Sequence, residues 1–171
     1  MSGVLITFEG IDYSGKSLQC RLLFERLQAL QRDVLHLRDP GATRISEKIR
    51  AILLDRVHLE MAPTTELLLY EAARAQMVEE VIKPALAAGT IVLCDRLYDS
   101  TTAYQGFARG LDLAMVEQAN RIGACGVVPN KTFLLDVDPA VAWQRKQQRG
   151  SESDRIEQEG LAFQRQVRAG Y

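Results

Sequence analysis

Cysteine and histidine are scarce in this sequence, at three Cys and two His in 171 residues. Cys20, Cys94 and Cys125 are odd in number, far apart and without metal-ligand spacing, which argues against a disulfide framework and suits a reducing compartment. They read as ordinary buried or half-buried thiols. His36 and His58 read as structural. An excess of one charge is missing as well: 21 Lys+Arg stand against 22 Asp+Glu, for a formal net charge of −1. The chain therefore has no basic footprint for nucleic acid or an anionic membrane, and any anionic ligand must be held by a local cluster. No apolar run approaches the ~20 residues of a bilayer span. Met1 to Glu9 has neither a basic n-region nor a cleavage site. The expectation is a cytoplasmic protein with small-molecule partners.

Hydrophobic residues make up 47% of the chain, a globular balance, and no linker or repeat divides it. A single domain over residues 1–171 can bury roughly 70% of the surface its unfolded chain exposes and needs no staple. Val4 to Phe8 reads as a buried strand ending at Gly10. Leu18, Leu22, Leu23, Leu27 and Leu30 then recur at helical spacing and predict one apolar helix face. Val34 to Leu37 is a second strand, stopped by Asp39-Pro40-Gly41, and Ile45, Ile49, Ile52 and Leu53 mark a second helix. Thr65 to about Ala88 is helical in pattern, with a kink or break at Pro84. Thr90 to Cys94 is a third strand, Tyr98 to Gly106 and Leu113 to about Ala124 are helical, Thr132 to Val137 is a fourth strand, and Ala140 to Arg149 a helix. This alternation predicts an α/β fold, a parallel sheet with helices on both faces. Gly150 to Asp154, polar and without an apolar anchor, is the candidate mobile segment.

Gly10-Ile11-Asp12-Tyr13-Ser14-Gly15-Lys16-Ser17 matches G-x-x-x-x-G-K-[ST] between a predicted strand and a predicted helix. In that context the glycines let backbone N–H groups wrap phosphate oxygens and the helix start adds its positive dipole end. Lys16 reaches the β/γ-phosphates and the Ser17 hydroxyl ligates Mg²⁺. The chain is expected to bind a nucleoside triphosphate. No guanine-reading N-K-x-D pattern occurs, since Thr132-Phe133 follows Asn130-Lys131.

In an open parallel sheet all strands deliver their carboxyl ends to one side, where ligands bind. Three strand ends carry polar signals: Asp12 with Lys16, Arg38-Asp39-Pro40-Gly41, and Asp95-Arg96. Alone, Asp95-Arg96 would pass for a surface ion pair. Beside a phosphate loop, Asp95 suits outer-sphere Mg²⁺ ligation and Arg96 can fork a phosphate. Tyr70 and Arg74, one helical turn apart, could present a ring and a donor to a base, or simply pack as a Tyr under an Arg stem. The hydroxyls of Ser100-Thr101-Thr102 fit a ligand contact or a helix cap equally well. Arg145, Lys146, Arg149 and Arg155 bracket the loop-like stretch, a basic run that also reads as a solvated helix face.

Taken together these residues resemble the thymidylate kinase family. The resemblance rests on Phe8-Glu9-Gly10 running into the phosphate loop, Arg38-Asp39-Pro40-Gly41, Ala73-Arg74-Ala75-Gln76, Asp95-Arg96 followed by Ala103-Tyr104-Gln105-Gly106, and Asp154-Arg155-Ile156-Glu157. These lie in order over nearly the whole chain, and Tyr104-Gln105-Gly106 is the most family-specific piece. The resemblance implies a P-loop nucleoside monophosphate kinase fold and transfer of a phosphoryl group from Mg-ATP to dTMP, giving dTDP and ADP.

It also implies roles. The loop from Gly10 to Ser17, with Leu18, would hold ATP, and Ser17 and Asp95 the Mg²⁺. Arg96 and Arg50 would hold the dTMP phosphate. Tyr70 would stack on thymine, Arg74 and Gln105 would hydrogen-bond it with Thr101 nearby, and Tyr104 would crowd the sugar 2′ position. Asp12 and Asp39 would lie near the sugar and acceptor phosphate. Arg149 and Arg155 would belong to a short lid near residues 145–157, because Tyr13 stands where one subgroup has a loop arginine. Family members usually form homodimers through their long helices. They also continue for roughly another strand and helix beyond the position of Tyr171, with the loop after that strand at the adenine site. Ser17-Leu18 and Gly41-Ala42-Thr43 depart mildly from the family pattern. Another nucleotide kinase, or a catalytically weak nucleotide-binding protein, are the readings that compete.

Overall fold

A computed structural model describes residues 3–150 and 153–171, with the Arg149 side chain outside that description. Four parallel strands form one sheet in the order β2-β3-β1-β4: β1 (Val4–Glu9), β2 (Val34–Arg38), β3 (Ile91–Asp95) and β4 (Lys131–Leu134). The helices are α1 (Lys16–Ala29), α2 (Arg44–Leu54), α3 (Pro63–Met77), α4 (Lys83–Ala88), α5 (Tyr98–Thr101), α6 (Leu113–Gly123), α7 (Pro139–Arg149) and α8 (Gly160–Gly170). The fold class expected from the alternation is the one observed.

Side chains alternate across a strand, so each inner strand feeds two cores. Leu5, Leu37, Val92 and Cys94 pack on one face against Met77, Val78 and Ile82. Phe8 and Leu93 pack on the other against Cys20, Leu23, Phe24 and Leu27 of α1. A third cluster at the strand ends joins Ile11, Tyr104, Ala142, Ile156, Phe163 and Val167. Cys20 and Cys94 are buried free thiols and Cys125 is half-buried, as composition suggested.

Several expectations need correction. The α1 face is not the predicted leucine stripe: Leu18, Leu22 and Leu30 are exposed, and Cys20, Leu23, Phe24 and Leu27 turn inward. Likewise Ile45 and Ile52 of α2 are exposed while Ser46 and Leu53 are buried. Apolar spacing fixes a period, and the neighbouring surface chooses which part of it is covered. The fourth strand runs Lys131–Leu134 rather than Thr132 to Val137, because β4 pairs only with Ile6 to Glu9 of β1. The predicted break at Pro84 is a π turn over Val78–Ile82, ahead of the proline. Pro84 has no N–H to give and its ring crowds the preceding turn, and the Lys83 N–H reaches Val78 O, five residues back. The helix expected from Tyr98 to Gly106 is one turn of α5 followed by a π-helical segment over Thr102–Ala108. Within the candidate mobile stretch, 151–152 lie outside the described residues, and Asp154 Oδ1 accepts the Glu157 N–H at 2.9 Å.

Candidate functional site

The loop after β1 is built on backbone freedom at Gly10 and Gly15. Gly10 has φ 136°, and a Cβ there would lie 2.6 Å from Leu135 O. Gly15, φ 101°, is the N-cap of α1, whose first turn has neither a side-chain cap nor an acidic residue. An uncapped helix start leaves N–H groups pointing outward, an anion-binding arrangement. Ser14 Oγ is buried and has no partner among the described residues. Lys16 folds back so that Nζ lies 3.4 Å from Ile11 O and 3.8 Å from Asp12 Oδ1. Burial, with repulsion from Arg96, brings its ammonium down to about 8.

Arg96 joins this loop to the end of β3. Its φ of 75° lies in the left-handed region, a backbone cost of order 1–3 kcal/mol that is met mostly at functional positions. The guanidinium is held on many sides: Nη1 donates to Gly10 O at 2.9 Å, Ser100 Oγ at 3.0 Å and Tyr171 Oη at 2.9 Å. Nη2 donates to Asp12 Oδ1 at 2.6 Å and Tyr104 Oη at 3.0 Å. Burial works to raise the Asp12 carboxyl, but Arg96, Lys16 and hydrogen bonds from Tyr104 and Gln164 outweigh it and hold it at about 2. Glu9 has the opposite outcome. It is 1% exposed, and burial lifts it to about 7 although Arg96, Ser100 and the Leu97 N–H favour its charge.

Beside Arg96 opens a cleft walled mainly by charged and polar side chains. All nine residues that the resemblance assigned to the acceptor line it. Asp12, Arg96, Tyr104 and Thr101 form one end, and Asp39, Arg50, Tyr70, Arg74 and Gln105 the rest. Arg74, 1% exposed, donates to Asp39 Oδ2 at 2.6 Å, Glu71 Oε1 at 2.5 Å and Thr101 Oγ1 at 2.7 Å. Burial opposes its charge, but Asp39 and Glu71 more than compensate and raise its pKa above the ordinary guanidinium value. Asp39 Oδ1 is buried and has no partner among the described residues. Arg50 Nη1 donates to Pro40 O at 3.0 Å, next to a cis Asp39–Pro40 bond.

The predicted metal ligands fit a hard cation. Asp95 Oδ1, at the carboxyl end of β3, is buried without a partner among the described residues, and Ser17 is exposed in the first turn of α1. Oxygen donors at a phosphate loop suit Mg²⁺. Leu18, assigned to ATP, is exposed on the same turn.

The basic residues after α7 are placed differently from one another. Arg145 lies over the loop and donates to Tyr13 O at 3.1 Å and Ser14 O at 3.2 Å. Arg149 ends α7, and its side chain is outside the described residues. Arg155 departs from the expectation of a phosphate-directed lid arginine. It is 4% exposed, and donates to Leu53 O at 2.8 Å and Glu66 Oε2 at 2.6 Å, so here it fastens the segment to α2 and α3. Lys146 donates to Glu157 O.

The sequence assigns no role to Glu9, Glu66, Gln164 and Tyr171, and leaves Ser100 between a ligand contact and a helix cap. Glu66 did leave a signal, since it precedes Tyr70 and Arg74 by one and two helical turns and so shares their face. Gln164 and Tyr171 left none. They reach Asp12 and Arg96 only because α8 folds back over the site.

Known proteins match this chain in sequence and in fold. The family model described as thymidylate kinase matches residues 8–171. A thymidylate kinase from Pelotomaculum thermopropionicum is 50% identical over 171 residues, covering 100% of this chain and 79% of the relative. One from Caldanaerobacter subterraneus subsp. tengcongensis is 48% identical, covering 100% and 81%. The crystal structure of thymidylate kinase from Ehrlichia chaffeensis superposes with a TM-score of 0.80 at 34% identity, over 99% of this chain and 83% of that one.

Proposed function

This chain belongs to the thymidylate kinase family and transfers a phosphoryl group from ATP to dTMP, giving dTDP and ADP; from that premise we propose that the cleft beside Arg96 is the acceptor site and the Gly10–Ser17 loop the donor site. The observation that carries the assignment is Arg96 itself. One guanidinium touches the loop at Gly10 O and the cleft at Asp12 and Tyr104, so the two phosphate sites share a border there.

The acceptor phosphate carries about −1.5 to −2 charges at neutral pH, so no catalytic base is needed. The work is to bring two polyanions together and to stabilise charge on the group in transit. Lys16, on the loop, faces the donor phosphates, and Arg96 with Arg50 holds the acceptor phosphate. Mg²⁺, held by Ser17 and Asp95, would supply further neutralisation of the donor phosphates. In the cleft Tyr70 stacks on thymine, Arg74 and Gln105 hydrogen-bond it beside Thr101, and Tyr104 stands against a ribose 2′-hydroxyl. Asp12 keeps Arg96 and Tyr104 in place, and the unpartnered Asp39 Oδ1 can accept from the sugar.

Residues 145–157 act as a short lid within a single kinase domain. Its arginine toward the donor phosphates comes from α7, where Arg145 lies over the loop, while Arg155 anchors the segment. Closure excludes water that would otherwise hydrolyse ATP. The protein works in the cytoplasm as a homodimer; apolar Leu68 of α3 and Ile122 of α6, 60% and 75% exposed, support pairing through long helices. No helix among the described residues is long and apolar enough to cross a membrane.

The experiment is ADP release from Mg-ATP with dTMP, dUMP, dCMP, dGMP and UMP offered separately. Turnover with dTMP should exceed that with the others, and Lys16→Ala should remove most of it. Equal rates with all acceptors would overturn the cleft assignment, and near-normal turnover in Lys16→Ala would remove the loop lysine from the mechanism.

A further inference from the structure

Glu66 stands in the first turn of α3 and is 1% exposed. Its carboxylate accepts four hydrogen bonds. Oε1 takes Gln105 Nε2 at 2.8 Å and Arg109 Nε at 3.1 Å; Oε2 takes Arg155 Nη2 at 2.6 Å and Arg109 Nη2 at 3.2 Å. A carboxylate has about four lone-pair sites and, when ionised, no donor, so Glu66 is saturated. Burial pushes its carboxyl up, but the bonds from Arg109 and Gln105 and the Arg109 charge, with Arg155, outweigh this and hold it below the usual range. At neutral pH it is an acceptor and nothing else.

That property decides which way the Gln105 amide points. The two ends of a glutamine amide are nearly equal in size, so packing alone does not choose between them. Gln105 is 2% exposed, and a reversed amide would set its carbonyl oxygen about 2.8 Å from a carboxylate oxygen in a low-dielectric interior. The NH₂ end is therefore held at Glu66, and the carbonyl end is left for the cleft that Gln105 lines beside Arg74. Arg74 can only donate. The wall thus offers an acceptor next to a donor. Thymine matches it with N3–H and O4, whereas cytosine, with a bare N3 and an N4 amino group, meets like with like at both positions.

We infer that Glu66 is a positioning residue that fixes Gln105 with its carbonyl toward the base and so sets the preference for a keto pyrimidine over an amino pyrimidine. The inference rests on the reading of Gln105 as a base contact. Glu66 itself touches no substrate atom. Its effect is carried by the amide it orients.

The test is steady-state kinetics of Glu66→Gln with dTMP and dCMP as acceptors, read as the ratio of their kcat/KM values. A neutral amide at position 66 can offer its own NH₂ to Gln105 and release the constraint. The dTMP/dCMP ratio should fall by about tenfold or more, as expected when a site loses its fixed hydrogen-bond sense. Glu66→Asp, still only an acceptor, should retain most of the ratio. In a Gln105→Ala background, Glu66→Gln should leave the ratio where Gln105→Ala put it. An unchanged ratio in folded Glu66→Gln overturns the inference, as does an equal further fall in the Gln105→Ala background. Failure of the underlying reading looks different: Gln105→Ala would then weaken dTMP and ATP alike. If Glu66→Gln does not fold, the Gln105 side-chain amide resonances of the native protein decide. With Nε2 held by Glu66 its protons exchange slowly with solvent both without and with dTMP, and fast exchange that slows only when dTMP is added, showing Nε2 turned to the base, overturns the inference.

Discussion

Burial acts on three charged groups around the phosphate loop, with three outcomes. It weakens the Lys16 charge, lifts the Glu9 carboxyl to about 7, and fails to lift Asp12 because Arg96 and Lys16 lie against it. Glu9 gives a measurable linkage. Between its ordinary value of 4.5 and about 7 the unfolded chain has released the proton and the folded protein still holds it. Stability from this group is therefore full below 4.5 and is lost as pH rises through about 7. Glu9→Gln, a neutral mimic, removes that dependence. The melting temperature of the variant relative to the parent should climb between pH 5 and pH 8, by the equivalent of about 3 kcal/mol. Parallel melting curves at the two pH values would contradict a protonated Glu9. The sequence displayed Glu9 beside the loop motif without showing that Leu97 N–H, Ser100 and Tyr171 converge on it.

Among the elements, α8 acts on the site from behind, through Gln164 on Asp12 and the adjoining Tyr171 on Arg96. Gly170 lies so close to the neighbouring π-helical segment that a Cβ would come within 2.8 Å of both Ala103 Cα and Phe107 Cβ. Alanine adds about 1 kcal/mol of helix propensity over glycine, while overpacking against fixed backbone costs about 1–3 kcal/mol. Overpacking wins, because the Ala103 Cα cannot swing aside. Gly170→Ala should lower the urea midpoint. It should also depress kcat/KM for dTMP, since the next residue, Tyr171, bonds Arg96 and Ser100. A variant with raised midpoint and full activity would show that α8 approaches less closely than described. The π turns at Val78–Ile82 and Thr102–Ala108 escaped the sequence reading for a related reason. Hydrophobic period separates helix from strand, but one extra residue per turn barely changes it.

For the whole molecule, the cleft is a product of convergence. Asp12 follows β1, Asp39 follows β2 and Arg96 follows β3, while Tyr70 and Arg74 come from α3, and Tyr104 and Gln105 from the Thr102–Ala108 segment. A parallel sheet with its strand ends on one side makes such a meeting possible. The exposed apolar Leu68 and Ile122 argue for a second copy of the chain against the long helices. Light scattering at micromolar concentration should give twice the 19.1 kDa chain mass, and Leu68→Glu should shift it toward the single chain. A monomer at all concentrations would remove the homodimer from the proposal.

By itself the sequence determined the phosphate loop, the α/β alternation and the family resemblance, because each is written in neighbouring residues or in their period. The nine residues proposed for the acceptor come from that resemblance, and the fold brings all nine to one cleft. Only the tertiary structure decided which leucines of α1 face inward, that Arg155 ties the segment after α7 to Glu66, and that Glu9, Glu66 and Tyr171 gather at Arg96 and Gln105. Those outcomes depend on which surfaces and charges meet across the fold: Arg155 and Glu66 are 89 positions apart, and Tyr171 and Glu9 are 162. A buried carboxylate takes whichever cations and amide donors the packed elements bring to it, and local sequence does not encode that encounter.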